Sequence, residues 1–358
     1  CGSTSGTSGL PKGVMLTHGN ISANVRQCKA HARFTDEDVL LGVLPQFHSF
    51  GLTVLTMLPL MVGCRAVYTA RFVPQQIVRM MREHRPTAFV GISSMFGALL
   101  IVKSAKAEDF ASLRFAVAGG EPLSRPVAET FRERFGISIN EGYGLTETAP
   151  VTNLLRPGED APGSVGRPFP GMEQRIVDPG TGRTLGPGEE GEIRMRGPNI
   201  MRGYYKLDEL TRESFDGDGF FRTGDVGTMD ERGFLYITGR LKEMIIVGGE
   251  NVAPREIEDA LDAHESVACS AAVGVFDDVR GEIPEAAVQM DDGADFDEQA
   301  LKDWCKDRLA PYKVPRRIHR LDELPRTGTG KVSRRHVARW VNGEMEDEEL
   351  RELTRQSS

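Results

Sequence analysis

Between residues 75 and 140 the sequence repeatedly changes its hydrophobic period. Gln75 to Glu83 has helical spacing and stops before Pro86, and Ala88 to Ile92 is a short apolar run. Met95 to Val102 is helix-like again, and Leu113 to Ala118 is a buried-strand pattern ending at Gly119-Gly120. Ser124 is placed to cap a helix that continues to Arg134, and Ile137 to Asn140 is a further strand ending at Gly142-Tyr143-Gly144. Strand and helix in alternation predict an α/β fold with parallel strands, in which ligands gather at the carboxyl ends.

The texture then changes twice. From Pro162 to Tyr236, Gly and Pro are dense, helical periodicity is poor, and alternating strands such as Gly191 to Arg196 predict a β-rich subdomain. After Gly239-Arg240 the α/β pattern returns. Met244 to Val247, Ala271 to Phe276 and Ala286 to Met290 read as strands; Pro254 to Ala263 and Glu298 to Leu309 read as helices. This second α/β region has roughly a hundred residues, a common domain size. Glu344 to Ser358 is a charge run, expected to be a solvated or frayed helix.

Two loops look built for phosphate. Thr4 to Gly13 reads Thr-Ser-Gly-Thr-Ser-Gly-Leu-Pro-Lys-Gly, and Pro325 to Lys331 ends in Thr-Gly-Thr-Gly-Lys. Glycine lets backbone N–H groups turn toward an anion, hydroxyls add donors, and lysine adds a point charge. Neither is the common nucleotide P-loop, because Lys12 is followed by Gly13 and Lys331 by Val332, where that motif needs Ser or Thr. On composition alone each loop is equally compatible with an ordinary flexible turn.

The chain of 358 residues has room for about two domains. A net charge of −8 argues against a nucleic-acid surface. Five scattered cysteines without a Cys-x-x-Cys pair argue against a disulfide framework or a zinc site and point to a reducing, cytoplasmic setting. No leader-like segment is seen. The longest apolar run, Leu52 to Cys64, contains Pro59, is too short to span a bilayer, and is expected to be a buried helix.

The ordered set of motifs says more than any one of them. Thr4–Gly13 is followed by Gly142-Tyr-Gly-Leu-Thr-Glu147, Tyr204-Tyr205, Arg222-Thr-Gly-Asp225 and Gly239-Arg-Leu-Lys-Glu243. Val247-Gly-Gly-Glu-Asn-Val-Ala-Pro254 and Lys331 complete the series. From Thr4 to about Val337 this resembles the adenylate-forming superfamily of acyl-CoA synthetases, peptide-synthetase adenylation domains and beetle luciferases. The resemblance implies ATP-dependent activation of a carboxylic acid to an acyl-adenylate, followed by transfer to the thiol of CoA or of a carrier protein's phosphopantetheine. It implies that residues 1–240 are the C-terminal portion of a large domain, α/β over 1–161 and β-rich over 162–240. Residues 241–343 would be a small mobile α/β domain, and 344–358 a charged tail. The family's N-terminal subdomain is expected to be lacking, so that a truncated or non-catalytic nucleotide-binding fragment is the alternative.

The resemblance also assigns roles. Thr4, Ser5, Gly6, Thr7, Ser8, Gly9 and Lys12 would hold the β- and γ-phosphates, and Glu147 would be a Mg²⁺ ligand with Thr146 beside it. Gly120, Glu121 and Pro122, after Gly119, lie where the family places its adenine wall, with Tyr143 and Gly144 opposite. Asp225 would accept from the ribose hydroxyls, and Arg240 would contact ribose or phosphate. Lys331 would bridge the substrate carboxylate and the α-phosphate, where charge grows in the transition state. Rotation at a hinge mapping to Lys242 would withdraw Lys331 and bring in Gly248-Gly249 to line a pantetheine channel. Without the resemblance, Glu147 is a surface carboxylate, Asp225 a turn residue and Tyr143 core packing.

For the acid, Pro45-Gln-Phe-His48-Ser-Phe-Gly51 before the apolar Leu52–Val62 resembles the fatty-acid-activating branch, with aryl or short branched acids next. Gly119, Gly142 and His48 would line the acid pocket, and a structural role for His48 is the competing reading. A lipid substrate is compatible with peripheral membrane association. For the thiol, Arg280 resembles a CoA-phosphate contact, whereas Asn251 stands where several CoA-using relatives carry arginine. Acyl carrier protein therefore remains open as the acceptor.

Overall fold

The computed structural model describes residues 2–5, 11–278, 281–327 and 332–357. Internal contacts divide the chain into two compact units, residues 1–237 and 238–358.

The first unit opens with β1 (Gly2–Ser5) and β2 (Pro11–Met15), antiparallel arms in which Thr4 is opposite Lys12. Thr17 then caps α1 (His18–Ala32): its hydroxyl accepts the Asn20 N–H, and the Asn20 side chain accepts the Thr17 N–H. The alternating region follows as β3 (Val39–Gly42), α2 (Leu58–Val62), β4 (Arg65–Tyr68), α3 (Pro74–His84), β5 (Ala88–Gly91), α4 (Ser93–Leu100), α5 (Ala107–Phe110), β6 (Phe115–Gly119), α6 (Arg125–Phe135) and β7 (Ile139–Gly144). β8 (Val151–Leu154) and β9 (Arg167–Pro168) complete the sheet. Among the described residues its strand order is β4-β3-β5-β6-β7-β8-β9, parallel from β4 to β7 and antiparallel at β8 and β9.

The two-residue period of a strand explains why these apolar runs belong in the middle of that sheet. Ala88, Val90, Phe115 and Val117 pack into one core, and Phe89, Ala116 and Ala118 into the other. The second core is aromatic, with Phe96 and Phe131 edge to face at 5.3 Å.

The β-rich stretch supplies β10 (Glu173–Val177), β11 (Gly191–Arg196), β12 (Gly203–Tyr204), α7 (Asp208–Glu213), β13 (Phe221–Met229) and β14 (Leu235–Arg240). β10-β11-β13-β14 form one sheet, whereas β12 leaves it to pair with β2.

In the second unit, a 3₁₀ turn at Leu241–Glu243 precedes β15 (Ile245–Val247), β16 (Glu250–Val252), α8 (Pro254–Asp262), β17 (Val267–Asp277), β18 (Gly281–Met290), α9 (Glu298–Lys306), β19 (Ile318–Leu321), α10 (Arg334–Val341) and α11 (Asp347–Ser357). Its sheet runs β16-β15-β18-β17, with β19 parallel to β18. The Arg334 guanidinium bonds Glu258 on α8 at 2.6 Å and Glu243 of the 3₁₀ turn at 2.8 Å.

Three local expectations need correction. Leu52–Cys64 is not one buried helix: a π-helical turn at Gly51–Met57 leads into α2. Val54, Leu55 and Leu58 are buried, whereas Leu60 is 75% exposed. A helix turns only one stripe inward, and a uniformly apolar run carries no sign of which stripe that is. Ser124 precedes α6, but its side chain makes no capping bond; its backbone N–H donates to Ser93 Oγ at 3.0 Å. The charged tail forms α11 with Leu350 and Thr354 buried, so it is packed on that side. Among the described residues no helix is long and apolar enough to cross a membrane.

Candidate active site

The site of the first unit is assembled from segments far apart in sequence. Lys12 lies on β2, and β12 pairs with that strand so that Tyr204 is opposite Val14 and Gly203 opposite Met15. The register sets the Tyr204 ring beneath Lys12, whose ammonium lies 5.4 Å from the ring centroid. At its other end, the Tyr204 hydroxyl donates to Glu147 Oε1 at 2.9 Å. Tyr204 is 6% and Glu147 9% exposed, so the bond is shielded from water. Burial first, and the Glu147 carboxylate second, push the Tyr204 hydroxyl up from its ordinary value, which keeps it protonated and donating.

Glu147 is therefore not a surface carboxylate. It sits on a 3₁₀ turn, Thr146–Thr148, between β7 and β8. The Glu147 carbonyl accepts the Met201 N–H at 2.8 Å, and the Thr148 carbonyl accepts from Asn199 Nδ2 at 2.7 Å. The entry to this turn explains Gly144: a Cβ there would lie 2.0 Å from the Pro150 carbonyl oxygen, which no side chain tolerates. Thr146 Oγ1 is 3.3 Å from Ser49 Oγ, next to His48. His48 Nδ1 accepts the Phe50 N–H at 3.3 Å and is half-buried.

Asp225 lies inside β13, 2% exposed, and is no turn residue. Its Oδ2 accepts the Tyr143 hydroxyl at 2.6 Å, and its own N–H donates to Thr223 Oγ1 at 3.0 Å. Tyr143 also belongs to the apolar core of this unit, so the packing role holds alongside the hydrogen bond. Gly119 is opposite Gly142 where β6 meets β7. After Gly119, the Gly120-Glu121-Pro122 turn is tied to α4, since Glu121 Oε1 accepts the Ser94 N–H at 2.8 Å.

The structure thus brings together Lys12, Thr146 and Glu147, and separately Tyr143 and Asp225, all in the first unit. Thr4 and Ser5 lie on β1. In the second unit Arg240 ends β14 and Lys242 lies in the 3₁₀ turn. Gly249 follows Gly248 in the two-residue turn joining β15 to β16, and their φ values of +92° and +60° are those a tight hairpin needs. Gly6, Thr7, Ser8, Gly9, Arg280 and Lys331 lie outside the described residues.

Sequence reasoning gave no role to Ser49, Thr223 or the Tyr204 hydroxyl. Tyr204 stood in a recognised Tyr-Tyr pair, but nothing local distinguishes its buried ring from that of Tyr205, which is 55% exposed. Among the described residues no group of three or more His, Cys, Asp or Glu side chains could hold a metal alone. A hard-oxygen pair such as Glu147 and Thr146 suits magnesium, which takes one or two carboxylates and completes its shell from phosphate and water.

Comparison with known proteins shows the family to which the chain is similar. Residues 4–205 match the profile of the AMP-binding enzyme family, and residues 256–331 match that of the AMP-binding enzyme C-terminal domain. The chain is 39% identical over 338 residues to a long-chain-fatty-acid–CoA ligase of Bacillus subtilis, covering 93% of this chain and 60% of that protein. It is 36% identical over 338 residues to a feruloyl-CoA synthase of Amycolatopsis, covering 94% of this chain and 68% of that protein. The crystal structure of ATP-bound MatB from Rhodopseudomonas palustris superposes with a TM-score of 0.90 at 35% identity, covering 97% of this chain and 68% of that one.

Proposed function

The chain belongs to the AMP-binding enzyme family, and from that premise we propose that it is an AMP-forming acid–thiol ligase. In the first step a carboxylate oxygen of the acid attacks the α-phosphorus of ATP. An oxygen–phosphorus bond forms, the bond to the bridging oxygen of pyrophosphate breaks, and pyrophosphate leaves. In the second step the sulfur of a thiol attacks the acyl carbon, the bond from that carbon to the phosphate oxygen breaks, AMP leaves with the bonding electrons, and the thiol proton passes to solvent. The observation that carries this reading is the buried Glu147 carboxylate, hydrogen-bonded by Tyr204 and next to the Lys12-bearing strand in the same unit that buries Asp225 against Tyr143.

In this reading Lys12 and the 4–13 segment neutralise the β- and γ-phosphates, and Glu147 with Thr146 holds the magnesium. When bound, that ion would supply positive charge that lowers the repulsion between the two reacting anions. Asp225 accepts from the ribose hydroxyls, and the Gly119–Pro122 turn borders the adenine. Arg240 contacts ribose or phosphate, and Lys331 stabilises the charge that grows as the carboxylate attacks. Residues 1–240 act as the large domain and 241–343 as the small one, with Lys242 as hinge. Gly248-Gly249 and Arg280 serve the thiol step.

For the acid we favour a medium- or long-chain fatty acid, supported by the named activity of the Bacillus relative and by the apolar Leu52–Val62 segment behind His48. An aryl acid is the second reading, supported by the similar identity to a feruloyl-CoA synthase. CoA is favoured as the acceptor, because these relatives are named for CoA. Acid-dependent ATP–pyrophosphate exchange with fatty, aryl and short acids tests the first step. Thioester formation with CoA and with holo-carrier protein tests the second. Exchange that no carboxylic acid stimulates would sink the reading.

A further inference from the structure

We propose that Tyr204 is a positioning residue for the metal–nucleotide end of the site, setting the orientation of the Glu147 carboxylate through its hydroxyl and the place of the Lys12 ammonium through its ring. The proposal rests on reading Glu147 as the magnesium ligand.

One side chain contacts both charged groups. Its hydroxyl is 2.9 Å from Glu147 Oε1, and its ring centroid is 5.4 Å from Lys12 Nζ. With Oε1 engaged, rotation of the carboxylate about its Cγ–Cδ bond is restrained, and with it the direction in which Oε2 faces. In a buried pair little water competes for that bond. Tyr204 is itself held at both ends of its backbone. Its N–H donates to Thr211 Oγ1 at 2.9 Å, and the segment around it bonds β2 through Arg202 N–H to Met15 O at 3.0 Å and Tyr205 N–H to Gly13 O at 2.8 Å. Met201 N–H donates to the Glu147 carbonyl at 2.8 Å. The stretch from Met201 to Tyr205 therefore anchors the strand that carries Lys12 and the turn that carries Glu147. A side chain hydrogen-bonded to a metal-binding carboxylate fixes the direction of its lone pairs, and losing such a partner typically costs roughly 10- to 100-fold in metal affinity.

The test compares wild type, Tyr204→Phe, Glu147→Gln and the double variant. Binding of Mn²⁺·ATP is followed by electron paramagnetic resonance, with Mn²⁺ as the magnesium probe. Binding of ATP in EDTA is followed by calorimetry on the same preparations. Tyr204→Phe keeps the ring and its packing and removes only the donor. The expected result is a loss of Mn²⁺·ATP affinity of roughly 10- to 100-fold with metal-free ATP affinity kept. No further loss is expected when Tyr204→Phe is added to Glu147→Gln. A fall in the amount of folded protein would lower both measurements alike, so the ratio of metal-bound to metal-free affinity is the readout. An unchanged ratio in Tyr204→Phe, with Mn²⁺·ATP binding lost in Glu147→Gln, overturns the positioning role and leaves Glu147 as the ligand. Wild-type Mn²⁺·ATP affinity in Glu147→Gln overturns the reading of Glu147, and the proposal falls with it.

Discussion

A buried carboxylate persists only where donors replace its water, and Asp225 has the Tyr143 hydroxyl at 2.6 Å. Tyr143→Phe should therefore destabilise the first unit by about 1–3 kcal/mol, seen as a lower urea midpoint. Asp225→Asn should weaken nucleotide binding by roughly tenfold or more in a calorimetric titration, since the charged acceptor is lost. In the second unit, Asp262 accepts from Ser270 Oγ at 2.7 Å at the end of α8. Burial chiefly, with Glu258 and Asp259 adding repulsion, raises it from the ordinary 3.8 to about 7. Between those values the folded chain holds a proton that the unfolded chain has released, so this group makes stability fall as pH rises from about 4 to about 7. Asp262→Asn should flatten that slope in a pH series of thermal unfolding; an unchanged slope would count against it. Glu147 and Asp225 were legible because each lies in a short, recognisable run of residues. Their donors were not, because Tyr204 is 57 residues from Glu147 and Tyr143 is 82 from Asp225. A hydrogen bond between distant segments leaves no local pattern.

At the scale of elements, the turn that presents Glu147 depends on how closely β7 approaches the chain that leaves it. The β7–β8 register shifts between Tyr143 and Gly144, and the Pro150 carbonyl fills the space where a Cβ would stand. Gly144→Ala should displace the Thr146–Thr148 turn and cost about 1–3 kcal/mol through overpacking. The checks are a lower unfolding midpoint and a fall in pyrophosphate exchange beyond what that midpoint explains. Elements defined by period were legible. β11 spans Gly191–Arg196 as the alternation implies, and α3 spans Pro74–His84 around the expected Gln75–Glu83. Elements defined by partners were not. β12 is two residues long and exists only because β2 is there to pair with it, and β17 and β18 extend each other well beyond their apolar cores. The π-helical turn at Gly51–Met57 has no periodic signature distinct from that of an α-helix, which is why the segment read as one helix.

At the scale of the whole chain, the proposed chemistry asks for two acts from residues in two units. Lys331→Ala should abolish acid-dependent pyrophosphate exchange while thiolysis of a supplied acyl-adenylate survives, measured as thioester formed per AMP released. Equal loss of both steps would sink that division of labour. The pairing of β2 with β12 has a separate consequence, in the order of events during synthesis. The strand that carries Lys12 leaves the ribosome well before its partner Gly203-Tyr204, and the seven-strand sheet is made in between. Closing so long a loop is slow and is rewarded only at the end. The pairing on that side of β2 is thus among the last contacts of the first unit to form, and a nascent chain stalled before Gly203 would hold Lys12 on a strand paired with β1 alone, without the Tyr204 ring beneath it.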